Sequence, residues 1–112
     1  MAMLRWRDYR TALGRSPVRE FLRTLSLSEQ RAVASAMGLV AREGLVAARH
    51  LRGSLYEVGV EARRQGLRIL FAQEAKFILL SLVGFQKKTR KTPANELAIA
   101  QQRLDDWRER GA

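Results

Sequence analysis

Apolar residues recur at helical spacing in the first half of the chain. Ser16 and Pro17 are typical of a helix start, with serine as N-cap and proline at the first helical position. An apolar face follows at i, i+3, i+4 and i+7, formed by Val18, Phe21, Leu22 and Leu25. Ser26 and Glu29 fit a capping box, and Gly44 is a plausible C-cap of the helix that follows. Together these segments predict a helix hairpin with one shared buried face.

From Leu55 onward the hydrophobic pattern changes to a period of two. Residues 55–61 and 67–72 alternate between the two sides of an extended chain, as half-buried strands do. The segment from Phe77 to Phe85 is apolar on both sides, which is typical of a central strand. Residues 63–66 and 73–76 leave room only for tight turns, so the three strands are predicted to form an antiparallel meander.

Two more elements complete the predicted architecture. Thr92 and Pro93 repeat the cap-plus-proline start, and a core-facing stripe follows at Leu97, Ala100, Leu104 and Trp107. The mixed segment 4–9 is interpreted as a short first strand. The predicted order is β-α-α-β-β-β-α in a single α+β domain over residues 1–112. The helix hairpin and the C-terminal helix would pack on a twisted antiparallel sheet.

Charge narrows the choice of partner. The net charge is +10 and the isoelectric point is near 11.4, which favours nucleic acid over an anionic membrane or an acidic protein.

There is no cysteine and only one histidine, so we expect neither a metal nor another cofactor. No apolar leader begins the sequence, and its longest apolar run falls short of the ~20 residues of a membrane span. A cytoplasmic protein is expected.

The segment Phe85–Pro93 concentrates the lysines. Three of the four lysines fall in it, and no acidic residue occurs between Lys76 and Asn95. Lysine, unlike arginine, can lose its proton when its surroundings favour the neutral form. An exposed cationic loop at the end of a strand therefore favours a site that handles phosphate. A merely solvated loop beside a helix start is the alternative.

Three segments carry a family resemblance. Residues 51–57, 67–71 and 85–93 stand in the order and spacing of HigB-type toxins of the RelE/ParE superfamily, which the chain resembles from about Trp6 to Trp107. The resemblance implies a RelE-like fold and the toxin of a type II toxin–antitoxin pair. Such toxins typically cut mRNA, commonly in the ribosomal A site. A small helix-turn-helix (HigA-like) antitoxin holds them inactive and alone contacts operator DNA. Gly59 replaces a basic residue that is usual in the family, and Phe71 replaces a frequent tyrosine.

Site residues follow from the pattern together with the resemblance. Arg68 alternates with the apolar face of its strand, so it should lie on an open sheet face and bind phosphate oxygens. Lys87 and Lys88, among crowded cations, are the candidates for general acid or base, and the products would be a 2′,3′-cyclic phosphate and a 5′-hydroxyl. The predicted RNA-binding residues are Arg63, Arg64, Phe85, Arg90 and Lys91. His50 could be a general base, although capping or solvation is favoured. For Phe85, burial in the core is as well supported as stacking on an RNA base.

Two other functions remain open at this point. A ParE-like toxin that binds DNA gyrase would keep the fold and lack the chemistry, although the Lys-Lys-Thr motif argues against it. A plain basic nucleic-acid-binding module is supported by charge alone. The outward face of the helix hairpin offers a second surface for an acidic antitoxin, through Arg19, Arg23, Arg31 and Arg42.

Overall fold

A computed structural model describes residues 3–62 and 65–111, which form a five-stranded sheet and three α-helices. In chain order the elements are β1 (Arg5–Asp8), α1 (Pro17–Arg23), α2 (Leu27–Glu43), a 3₁₀ turn (Leu45–Ala47), β2 (Arg49–Arg52), β3 (Leu55–Ala62), β4 (Gln65–Glu74), β5 (Ile78–Lys87) and α3 (Ala94–Glu109). The α+β fold class is confirmed. No helix in these described ranges is long and apolar enough to cross a membrane.

The helix signals of the first half act as predicted. The Ser16 side chain accepts a hydrogen bond from the backbone of Arg19, with proline at the first helical position. Both bonds of the capping box between Ser26 and Glu29 are present. Gly44 ends α2 with φ of 85°, a left-handed value that glycine adopts without strain.

The strand order in the sheet is β1-β5-β4-β3-β2. The predicted meander is confirmed, because β3, β4 and β5 pair antiparallel in sequence. Two features differ from the prediction. The short strand β2 adds a fifth strand at the β3 edge, and β1 pairs parallel with β5. The sheet is therefore mixed, with the apolar β5 inside it.

Helices cover both faces of the sheet. Val18 of α1 and Val33 of α2 belong to a buried cluster with Ile69 and Phe71. Leu104 of α3 belongs to a second cluster, with Leu70 and other residues of the opposite face. The expected open face is thus wrong in part, because α3 packs on the side that carries Arg68. Arg68 shares its side of β4 with apolar residues such as Leu70, and α3 shields those residues from water.

Three boundaries near the cationic segment were predicted incorrectly. The strand β4 begins at Gln65, so the second half of the predicted turn at 63–66 is extended chain. The strand β5 continues to Lys87. Pro93, not Thr92, is the N-cap residue of α3, and the Thr92 hydroxyl donates to Glu57 at 2.7 Å. Arg63 and Arg64 lie outside the described residues.

Candidate nucleic-acid interface

Three neighbouring strands bring the charged residues together. Arg68 of β4 lies opposite Gly59 of β3 on one side and Phe85 of β5 on the other. Glu57 lies two residues before Gly59 on β3, and Lys87 lies two residues after Phe85 on β5. Side chains two residues apart on a strand share a face, so Glu57 and Lys87 lie on the face of Arg68. The sheet register therefore places one carboxylate and two cations side by side, next to the segment that leads into α3.

Each of the three guanidinium nitrogens of Arg68 has at least one oxygen neighbour. Its Nη2 lies 2.6 Å from Oε1 of Glu61, and its Nε lies 3.6 Å from Oε2 of Glu57. Its Nη1 donates to the backbone carbonyls of Val60 and Leu67, each at 3.2 Å. The side chain is only 16% exposed. These contacts hold the Arg68 side chain over β3 and β4.

Two glycines form the floor under Arg68, here called the glycine seat (Gly59 and Gly66). A Cβ atom at Gly59 would lie 2.5 Å from Cδ of Arg68 and 2.2 Å from the carbonyl oxygen of Leu67. A Cβ at Gly66 would lie 2.7 Å from Nη1 of Arg68. Any side chain at Gly59 would take the space of Arg68. A basic residue at position 59 would therefore not fit beside this arginine.

Lys87 does not lie in an exposed loop, and this corrects the prediction. It is the last residue of β5 and only 7% exposed. Its Nζ lies 3.7 Å from Oε2 of Glu57, which is itself 5% exposed. The crowded cations expected around Lys87 are accompanied by a buried carboxylate, which is its partner. The strand extends further than the apolar run indicated, since Gly66 of β4 still pairs with Lys87.

An open depression of about 590 Å³ lies over this cluster. Its lining combines five cationic residues with one acidic residue and two uncharged ones: Arg49, Arg68, Lys87, Lys88, Arg90, Glu61, Gly66 and Thr89. Lys88 and Arg90 are exposed. The surplus of positive charge and the exposed rim suit a phosphate chain.

Three other predicted residues, all in the described part of the chain, do not line this depression. Lys91 is exposed in the same loop but does not line it. Phe85 is 8% exposed in the cluster under α3, so its ring belongs to the core rather than to a surface that RNA can stack on. His50 of β2 packs its ring against Tyr56, and its Nε2 lies 2.9 Å from the Gly53 carbonyl oxygen. That places the histidine on the face opposite Arg68.

Sequence reasoning missed three contributors. Arg49 lies opposite Glu57 in the register of β2 and β3, and it was missed because the four-residue strand β2 has no periodic signal. Glu57 and Glu61 were visible as alternating residues of β3, on the same face as Arg68. Their role as partners of the cations depends on strand register, which the alternation alone does not give.

The arrangement can bind phosphate and stabilise negative charge. Three guanidinium groups and two ammonium groups line one depression, and planar guanidinium and ammonium donors are those that phosphate oxygens prefer. Within residues 3–62 and 65–111, no group of three or more His, Cys, Asp or Glu side chains is arranged to hold a metal ion.

Comparison with known proteins places the chain in a family. The family model for "Phage derived protein Gp49-like (DUF891)" matches residues 20–105, a span that includes the whole charged cluster. A search of curated proteins found no significant match. The matched family is toxin-like, related to RelE, and occurs in toxin–antitoxin systems. Because the match covers well over half of the sequence, the chain belongs to the Gp49-like family of phage-derived proteins.

Proposed function

We propose that this chain is the toxin of a toxin–antitoxin pair and an endoribonuclease that cleaves mRNA on the ribosome in the cytoplasm. The observation that carries the proposal is the convergence of Arg68, Lys87, Lys88 and Arg90 on one depression at the end of β5. Membership of a toxin-like family supports the biological role. The reaction uses the 2′-OH of the RNA as nucleophile and needs no metal.

Arg68 supplies charge stabilisation in this mechanism. The 2′-oxygen attacks the adjacent phosphorus, the bond to the 5′-oxygen breaks, and the products carry a 2′,3′-cyclic phosphate and a 5′-hydroxyl. Negative charge grows on the phosphate oxygens during the attack, and preorganised donors there lower the barrier most effectively. Glu61 is 73% exposed, so an incoming phosphate can take its place on Nη2 of Arg68.

The lysines serve proton transfer and guide the RNA. Lys88 is exposed at the rim and can protonate the leaving 5′-oxygen as general acid. The proton of the 2′-OH passes to water as the oxygen attacks, and Lys87 stands deeper, against Glu57. Arg90 contacts the flanking backbone. Few acid–base groups line the site, which suits an enzyme whose substrate is oriented by the ribosome.

The proposed partner in the cell is an acidic antitoxin with a helix-turn-helix domain. A protein of net charge +10 attracts an anionic surface over a distance of about one Debye length, ~8 Å at physiological salt. The antitoxin would cover the Lys88–Lys91 loop or block docking on the ribosome. Four arginines of α1 and α2 are exposed and offer a second contact surface: Arg19, Arg23, Arg31 and Arg42.

Incubation of the purified protein with translating ribosomes, followed by mapping of mRNA ends, tests the function. We expect new 5′-hydroxyl ends within the reading frame, with and without EDTA. Intact mRNA together with inhibition of DNA gyrase would replace the proposal with a ParE-like toxin. RNA binding with neither activity would leave a plain nucleic-acid-binding module.

A further inference from the structure

We propose that Glu57 is the positioning residue of this site and that it couples the two inner cations to the Lys88–Lys91 loop. The inference rests on the proposed ribonuclease function and adds a residue to it. Glu57 does not touch RNA in this scheme. It acts through Arg68, Lys87 and Thr92, which belong to three different segments of the chain.

The two carboxylate oxygens of Glu57 are divided between these segments. Oε2 lies 3.6 Å from Nε of Arg68 and 3.7 Å from Nζ of Lys87, so one oxygen stands between the two cations. Oε1 accepts the hydrogen bond of the Thr92 hydroxyl at 2.7 Å. One rigid group thereby fixes the spacing of Arg68 and Lys87 and ties the end of the loop to the same point.

Burial gives this arrangement its stiffness. In the described part of the chain, Glu57 and Lys87 are the two charged residues that are buried, at 5% and 7% exposure. A buried carboxylate is tolerated when cations and hydrogen-bond donors surround it, and each partner then becomes costly to remove. The pairing therefore holds a single geometry rather than a range of exposed ones.

Thr92 shows that the contact is specific. A threonine directly before Pro93 commonly caps the helix that follows, yet α3 has no side-chain cap. The hydroxyl is used on Glu57 instead. The loop that carries Lys88 and Arg90 is thus anchored at Lys87 by strand pairing and at Thr92 by this hydrogen bond.

Glu61 provides a natural contrast. It also contacts Arg68, at 2.6 Å, but its side chain is 73% exposed and no bond to the loop accompanies it. Phosphate can displace such a carboxylate, whereas Glu57 lies beneath the cations and stays in place. Removing Glu61 should therefore tighten RNA binding. Removing Glu57 should disorder the cations that bind the RNA.

The test uses Thr92→Val, which cuts only the loop contact, with Thr92→Ser as the matched control that keeps the hydroxyl. Glu57→Gln, which keeps the shape and loses the charge, is the second variant. Two readouts are compared: kcat and KM for mRNA cleavage on ribosomes, and the rate of limited tryptic digestion after Lys88, Arg90 and Lys91. The digestion needs no catalysis by the protein itself.

Thr92→Val should lower kcat about tenfold with little change in KM and speed digestion about tenfold, because a hydrogen bond to a charged acceptor is lost. Thr92→Ser should restore both values. Glu57→Gln should lower kcat by about 100-fold, as expected when reacting groups lose their alignment.

Wild-type kcat in Thr92→Val, with or without faster digestion, would overturn the positioning role. Equal loss in Thr92→Val and Thr92→Ser would overturn it as well, since the hydroxyl would then not matter. An inactive wild-type protein would instead refute the ribonuclease proposal itself, so the two failures are distinguishable.

Discussion

Gly66→Ala tests whether the placement of Arg68 matters for cleavage. The added methyl would lie 2.7 Å from Nη1, 2.9 Å from Cζ and 3.0 Å from Nη2 of Arg68. These atoms are the far end of a flexible side chain, so the guanidinium should move while the backbone of β4 stays. To reach a contact of 3.4 Å, Nη1 must shift by about 0.7 Å, the difference from 2.7 Å.

A shift of this size predicts a large kinetic effect and a small thermodynamic one. Misplacing a reacting group by about 1 Å can cost on the order of 100-fold in rate. We therefore expect the cleavage rate to fall by about 10- to 100-fold, or roughly 1.4–2.7 kcal/mol in activation free energy. Replacing a strand glycine by alanine stabilises by about 0.5–1 kcal/mol. Loss of the pair with Glu61, whose side chain is 73% exposed, offsets that by about 1 kcal/mol.

Single-turnover cleavage and thermal unfolding measure the two effects on the same samples. Gly38→Ala is the control, because its Cβ in α2 meets only Nη1 of Arg42 at 3.4 Å and alanine favours a helix by about 1 kcal/mol. It should raise the unfolding midpoint and leave cleavage unchanged. Gly59→Ala, in contrast, should lose about 1–3 kcal/mol of stability, because its Cβ would lie 2.2 Å from the carbonyl oxygen of Leu67. Gly66→Ala that cleaves at the wild-type rate would refute the reasoning.

Three further predictions follow from single contacts. Glu61→Gln should tighten RNA binding by about two- to fivefold in equilibrium titrations, because the exposed carboxylate no longer competes with phosphate. Lys88→Ala should leave thermal stability unchanged. Lys87→Ala should lower the free energy of unfolding by about 2 kcal/mol, because it removes a partner of the buried Glu57. Burial, followed by the hydrogen bond to an aspartate, raises the pKa of Tyr9 above its ordinary value near 10. The folded chain then keeps a proton that the unfolded chain has released, so stability falls as pH rises through this range. In urea titrations between pH 9 and 11, Tyr9→Phe should lose less stability than wild type.

Each of these predictions can be contradicted by a specific result. Weaker RNA binding by Glu61→Gln would mean that the carboxylate supports the site rather than occupying it. Equal stability of the Lys87 and Lys88 variants would show that the buried pair contributes nothing. Parallel stability profiles of wild type and Tyr9→Phe from pH 9 to 11 would remove Tyr9 as a source of alkaline sensitivity.

Elements with strong local signals were predictable from the sequence. The capping box at Ser26 and the alternation in β3 and β4 act within a few residues, so the pattern contains all the information they need. The fold class followed from these elements. The parallel pairing of β1 with β5 could not be predicted, because nothing in the local sequence of Arg5–Asp8 indicates a partner strand more than 70 residues away.

The candidate site was predictable in composition and not in geometry. Alternation placed Arg68 on the side of its strand opposite Ile69, and the lysine cluster marked the end of β5. The pairing of Lys87 with Glu57 depends on three strands in register, and the use of Thr92 on that carboxylate depends on where the loop returns. Both are long-range consequences of the fold. A helix-cap rule alone therefore assigned Thr92 to the wrong partner.

The most direct test of the ribonuclease account is the single-turnover rate of mRNA cleavage on ribosomes by wild type and Arg68→Ala. The account predicts that Arg68→Ala cleaves at the same position about 100- to 1,000-fold more slowly, as when an oxyanion donor is removed. Circular dichroism should show that the variant is folded. Cleavage by folded Arg68→Ala at the wild-type rate would contradict the central claim that this arginine, held among Glu57, Glu61 and the glycine seat, stabilises the reacting phosphate.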